Sequence, residues 1–262
     1  MPQIQLGDFT MQYVDHGTGS EPIVFLGGFI SSARWWRPVL DRLPDRFHAY
    51  ALNLRAWSEG DAIETGHTIA EYAADLHAFV EATGLDRFVL VAHSLGGGVA
   101  MQYAVDHQDR LAALVLLDPL APHGTRLDAA VTEWVNAQQG SAEGIRGIIL
   151  GGCVTPPSEP LVEELVADGL RWGRPGYLGM MDDMARFNIT ERLKQLTVPT
   201  LVTWGDRDTV IPFEGIVATF TAIPGCGLEV WHNVGHNGLL EQPDRTAALL
   251  TQFVDEASLA RT

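Results

Sequence analysis

Short runs of strand-forming apolar residues recur along this 262-residue chain, and most are separated by a helix-length amphipathic segment. The runs are IVFLGG (23–28), FHAYALNL (47–54), FVLVA (88–92), LAALVLL (111–117), PTLVTW (199–204) and LEVW (228–231). A strand apolar on both faces must be covered on both faces. Alternation with helices therefore points to a parallel sheet between two helical layers. FTMQYVDH (9–16) alternates loosely and predicts a further strand, followed by the turn GTGSEP (17–22). Spacing predicts helices over 33–43, 68–83, 95–107, 212–222 and 243–257. The clearest is 68–83, where Ile69, Tyr72, Ala73, Leu76, Phe79 and Val80 share one face. Thr68 and Glu71 make a capping-box pattern at its start, and Gly84 ends it. Residues 120–190 break the rhythm with helix-like pieces and joints such as GGCVTPPSEP and WGRPGY. The expected organisation is a core formed by 1–119 and 191–262, with a helical cap inserted at 120–190.

Composition narrows the function classes. With 46% hydrophobic and 19% charged residues, the chain suits one domain with a sizeable core. No run approaches the roughly 18 apolar residues of a membrane span. MPQIQLGDFT lacks the basic and apolar regions of a secretory signal, so a cytoplasmic protein is expected. A formal charge of −16 argues against nucleic acid as a partner, because phosphate binding needs clustered Lys and Arg. Cys153 and Cys226 lie far apart without metal-type spacing and read as free thiols.

The strand at 88–92 ends in AHSLGGG (92–98). Glycine costs a helix interior roughly 1 kcal/mol relative to alanine, so these three serve something other than the helix. In an open parallel sheet, function collects at the carboxyl ends of the strands. The polar residues there include Asn53, Arg55, His93, Ser94, Asp118, Asp206, Asp208, His232 and His236. Their chemistry runs in the order Ser, Asp, His.

That order, with its placement, resembles the α/β-hydrolase family over nearly the whole chain. AHSLGG resembles the family's nucleophile elbow, G-x-S-x-G, with Ala92 in place of the first glycine. WGDRDTVIP (204–212) resembles its acid loop and NVGHNGLLEQPD (233–244) its histidine loop. The resemblance implies an α/β-hydrolase fold: a mostly parallel, doubly wound sheet of about eight strands with an inserted helical cap. It implies Ser94 as nucleophile, His236 as base and Asp208 as acid. The backbone amides of Phe29 and Leu95 would form the oxyanion hole. The chemistry needs these types: a serine hydroxyl is a weak nucleophile until a base takes its proton. A carboxylate must hold the imidazole's tautomer, and two amides must meet the oxyanion.

The chain departs from the family at two places. Gly27-Gly28 stands where relatives carry His-Gly, which removes a side chain that usually fixes the loop. NLRAWSEG (53–60) stands where they carry a DLRGHGxS-like segment, with Asn53 for an Asp and Trp57, read as packing, for a His. Asp118 is the rival acid, although a turn role before Pro119 is the simpler reading. Asp206 reads as a turn former and His93 as structural, while His123 is a candidate reaching in from the cap. His232 and His236 are spaced like zinc ligands on a helix, but the segment reads as a loop without HExxH, and no metal is expected. Trp35, Trp36, Trp134 and Met184 are candidates for substrate contact, within an aromatic and Met-rich set that favours an apolar substrate.

The expected function is a cofactor-free serine hydrolase acting on a small apolar carboxylic ester or lactone, with no nucleic-acid or membrane partner. Three alternatives belong to the same resemblance. One is a carbon–carbon bond hydrolase acting on ring-cleavage products. Another is a cofactor-free dioxygenase of this fold. The third is a receptor that binds its ligand with little turnover. Some such dioxygenases share the missing oxyanion-loop His, the Asn at position 53 and an acid at position 118, but lack the acid-loop Asp that GDRD retains.

Overall fold

The eight strands are β1 (Gln3–Leu6), β2 (Phe9–His16), β3 (Glu21–Leu26), β4 (Phe47–Leu52), β5 (Phe88–His93), β6 (Leu111–Leu117), β7 (Thr200–Gly205) and β8 (Gly227–Trp231). They come from a computed structural model that describes residues 1–60, 62–125 and 129–259. The sheet order is β1-β2-β4-β3-β5-β6-β7-β8. β1 and β2 are antiparallel to their neighbours, and the rest pair in parallel. Every residue of β5 is buried, as its unbroken apolar run predicts, whereas edge strand β8 is mostly half-buried.

Two elements differ from expectation. QIQL forms β1, a four-residue edge strand whose polar residues carry too little periodicity to announce it. The helix expected over 33–43 is instead a 3₁₀ turn, Ala33–Trp36, followed by a short helix, Arg37–Leu40. There the Ser32 side chain caps the Arg34 amide, and Trp35 and Trp36 are both buried.

From β3 the chain steps outward to β4, then returns to β5 on the other flank of β3. The reversal opens a crevice at the carboxyl ends of β3 and β5, where ligands bind in sheets of this kind. Leu26 at the end of β3 lies in register with Ala92, two residues before Ser94.

The glycines after Ser94 make the crevice tight. A Cβ on Gly96 would lie 2.5 Å from the Gly27 carbonyl oxygen and 2.9 Å from that of Leu26. One on Gly97 would lie 2.5 Å from the Pro119 side chain. Helix Leu95–His107 therefore rests directly on the end of β3 and on the turn after β6, an approach that only glycine permits.

Among the described residues, the four longer helices between β6 and β7 are Ala129–Ala137, Ala142–Gly151, Glu159–Gly169 and Arg174–Arg186. Polar contacts tie this segment to the loop after β3 and to the helix Ile69–Thr83. Asp168 accepts from Ser32 Oγ at 2.6 Å and from Arg34 Nη1 at 2.5 Å. Trp172 Nε1 donates to the Ser31 carbonyl at 2.9 Å, and Asp183 accepts from the Ile69 amide at 2.7 Å. Among the described residues, no helix is long and apolar enough to cross a membrane.

Candidate active site

Ser94 sits between β5 and the helix Leu95–His107 with φ 54° and ψ −121°, outside the regions that L-residues ordinarily occupy. Neighbours impose this turn. The Ser94 amide donates to the Leu117 carbonyl at 3.1 Å, and its carbonyl accepts from Gly97 and Leu120 at 2.8 and 2.9 Å. Strain held by such a frame concentrates at functional positions, where it fixes a side chain in one direction.

His236 Nδ1 lies 2.8 Å from Asp208 Oδ2. The Asp208 side chain is fully buried and that of His236 is 8% exposed, so little water screens the pair. Asp208 Oδ1 accepts from the amides of Val210 at 2.6 Å and Ile211 at 3.0 Å. Burial pushes the Asp208 carboxyl up, but the His236 ring and these two amides outweigh it and hold it below the usual carboxylate range. With Nδ1 engaged by an ionised carboxylate, Nε2 is the His236 nitrogen left to accept a proton.

Phe29 and Leu95 both line the cavity that contains Ser94 and His236. Neither backbone amide has a hydrogen-bond partner among the described residues. Leu95 opens its helix, where the first amides point outward unpaired and favour developing negative charge. The Phe29 ring is held by Trp172 and Tyr177, with ring centroids 5.2 and 4.5 Å away.

The loop carrying Phe29 is fixed by a residue the sequence did not single out. A Cβ on Gly27 would run into Ser31 Oγ. That hydroxyl donates to the Gly28 carbonyl at 2.8 Å. Ser31 thus fills the place where a side chain at 27 would begin, and it braces the loop from the far side. The signal was present in GGFISS: a hydroxyl four residues after the missing His. Asn53 has a related task, accepting from the Ala33 amide at 2.7 Å. For the oxyanion role expected of the Phe29 amide, Ser31→Ala should reduce kcat on an ester about tenfold while KM changes little. Steady-state kinetics decide this, and an unchanged kcat would contradict a bracing role.

The cavity is about 350 Å³ and mostly apolar. Trp35, Trp134 and Met184, expected to contact substrate, all line it, together with Met181, Val210 and Ile211. Trp36 differs: it is fully buried in the core against Phe25, with ring centroids 4.9 Å apart, and does not line the cavity. Its position in the 3₁₀ turn sends it inward where Trp35 reaches the site.

Other candidates fall outside the chemistry. His93 Nε2 lies 2.9 Å from the His236 carbonyl, and burial pushes its pKa down to about 3, so it is a neutral brace. His123 is exposed, beside the Gly124 carbonyl. His232 pairs with Asp206 at 2.7 Å, away from His236's partner Asp208. Trp57 packs against Trp172 and Arg171, between the helices Glu159–Gly169 and Arg174–Arg186. Cys153 and Cys226 are free thiols. Asp118, Asp208 and His236 gather with one donor atom each within 4.8 Å of one another.

The α/β hydrolase fold family model matches residues 21–178, and the chain belongs to that family. It is 29% identical, over 93% of its length, to the dihydrolipoyllysine-residue acetyltransferase component of the acetoin cleaving system of Cupriavidus necator. It spans 66% of that relative. It is 24% identical to a monoacylglycerol lipase of Xenopus laevis, covering 95% of this chain and 80% of the relative. A solved structure described as an N-acyl homoserine lactone degrading enzyme superposes with a TM-score of 0.78 at 26% identity, over 96% of this chain and all of that one.

Proposed function

We propose that the chain is a serine hydrolase that cleaves a small apolar carboxylic ester or lactone. The observation that carries this reading is the convergence of four features on one apolar cavity. These are Ser94 on its strained turn, the buried His236–Asp208 pair, and the two unpartnered amides of Phe29 and Leu95.

In this reading Ser94 Oγ attacks the carbonyl carbon as His236 Nε2 takes its proton. The Asp208 carboxylate stabilises the imidazolium that forms. The Phe29 and Leu95 amides hold the oxyanion. His236 returns the proton to the leaving alcohol, leaving an acyl-serine. Water, deprotonated by the same ring, releases the acid. In a lactone the leaving alcohol stays attached and the product is a hydroxy acid. The apolar lining supports a neutral substrate, and so does the family's range of ester- and lactone-cleaving members.

Turnover of neutral p-nitrophenyl esters, measured beside a dienoic diketo acid and beside oxygen uptake on a hydroxyquinolone, separates the alternatives. The expected result is ester cleavage with a burst of p-nitrophenol. Oxygen uptake without ester cleavage would support the dioxygenase reading. Saturable binding without product would support the receptor.

A further inference from the structure

Asp118 follows β6, immediately before Pro119, and takes φ 43°, a conformation that aspartate tolerates better than most residues. Its amide donates to the Thr203 carbonyl at 3.1 Å, and its Oδ1 accepts from the Gly205 amide at 2.8 Å. The residue is 3% exposed. A turn former before proline needs neither that burial nor that aim. The carboxyl points at Asp208 and His236, and the three groups meet within 4.8 Å. The charged groups facing it are Asp208, from the loop after β7, and Glu241, from the turn Gly238–Glu241.

Two carboxylates so close, away from water, cannot both ionise. Their surroundings decide which keeps the proton. Asp208 has the His236 ring and two amides to stabilise its charge. Asp118 has one amide. Burial, and then the charge on Asp208, push the Asp118 carboxyl well above the usual range.

We propose that Asp118 is a positioning residue of this site, a neutral carboxylic acid whose O–H donates a hydrogen bond to the Asp208 carboxylate. The pair carries one proton and one negative charge. The added donor fixes the plane of Asp208 against His236. It also lowers the basicity of Asp208, so the proton taken from Ser94 stays on the imidazole. The proposal rests on the hydrolase reading for its catalytic consequence, but the state of the carboxyl is independent of it.

Asparagine is the uncharged mimic of such an acid. Its carbonyl can accept from Gly205 while its amide N–H donates to Asp208. Asp118→Asn is therefore expected to lose less than about fivefold in kcat, and Asp118→Ala about 30-fold with little change in KM, as befits a lost buried hydrogen bond. If Asp118 were ionised, the two variants would lose activity alike, which would overturn the proposal.

Two readouts need no activity. Infrared difference spectra between the protein and Asp118→Asn should contain the carbonyl stretch of a protonated acid at mildly alkaline pH; its absence would also overturn the proposal. The sign of the linkage gives the other. The folded protein holds a proton on Asp118 that the unfolded chain releases above the ordinary carboxylate value. Stability from this group is therefore complete in acid and is lost as pH rises towards the raised value. Denaturant unfolding across pH should show this decline in the protein and not in Asp118→Asn, and equal pH slopes would count against the shared proton. If these readouts hold while esters are not cleaved, the acid pair stands and the hydrolase reading falls.

Discussion

Ser94→Ala is expected to lower kcat on a carboxylic ester by about 10⁴-fold or more while the protein keeps its fold. The turn tolerates the change. The frame that holds residue 94 is backbone: amide and carbonyl bonds to Leu117, Gly97 and Leu120. None of these uses the side chain, so alanine can occupy the same strained position. What is lost is the atom that bonds to the acyl carbon. The activity that remains should come from the oxyanion amides and the cavity, and ester binding should persist with KM of the same order. Kinetics and a melting curve test both halves. Full activity in a folded Ser94→Ala would remove the nucleophile from the account.

Asp208→Asn is expected to cost about 10⁴-fold in kcat, although it changes one atom. The surrounding amides dictate the outcome. Val210 and Ile211 both donate to Oδ1, so the asparagine carbonyl must occupy that position. The NH₂ group is then forced into the place of Oδ2, facing His236 Nδ1. Nδ1 becomes the acceptor, the ring proton moves to Nε2, and no lone pair is left to receive the proton from Ser94. The variant should bind ester with little change in KM. A loss below about tenfold would mean that Asp208 does not set the tautomer, and would return the role to Asp118.

Much of the sheet was legible in the sequence, because runs such as FVLVA and LAALVLL have no other way to bury both faces. The strand order was not. It depends on which strands neighbour β3, and no periodicity records that. β1 escaped because QIQL has one buried residue in four. Of the candidate site, the placement of Ser94, Asp208 and His236 after the ends of strands was legible, because the spacing of small residues and the order of the motifs survive in sequence. Their pairing is a contact across 28 positions, which only the fold supplies. The surroundings of Ser31 and Asp118 were not legible, for one physical reason. They depend on what fills the space opposite each residue, an absent Cβ at Gly27 in one case and a second carboxylate in the other. Trp36 was expected beside Trp35 in the cavity, and the 3₁₀ turn separates them.

The most direct test is intact-mass analysis after exposure to a fluorophosphonate, which reacts only with a serine that is activated and faces working oxyanion donors. The expected result is a single adduct, mapped to Ser94, that fails to form in His236→Ala. Folded protein that takes up no adduct, or takes it up elsewhere, would contradict the claim that this cavity houses a competent nucleophile.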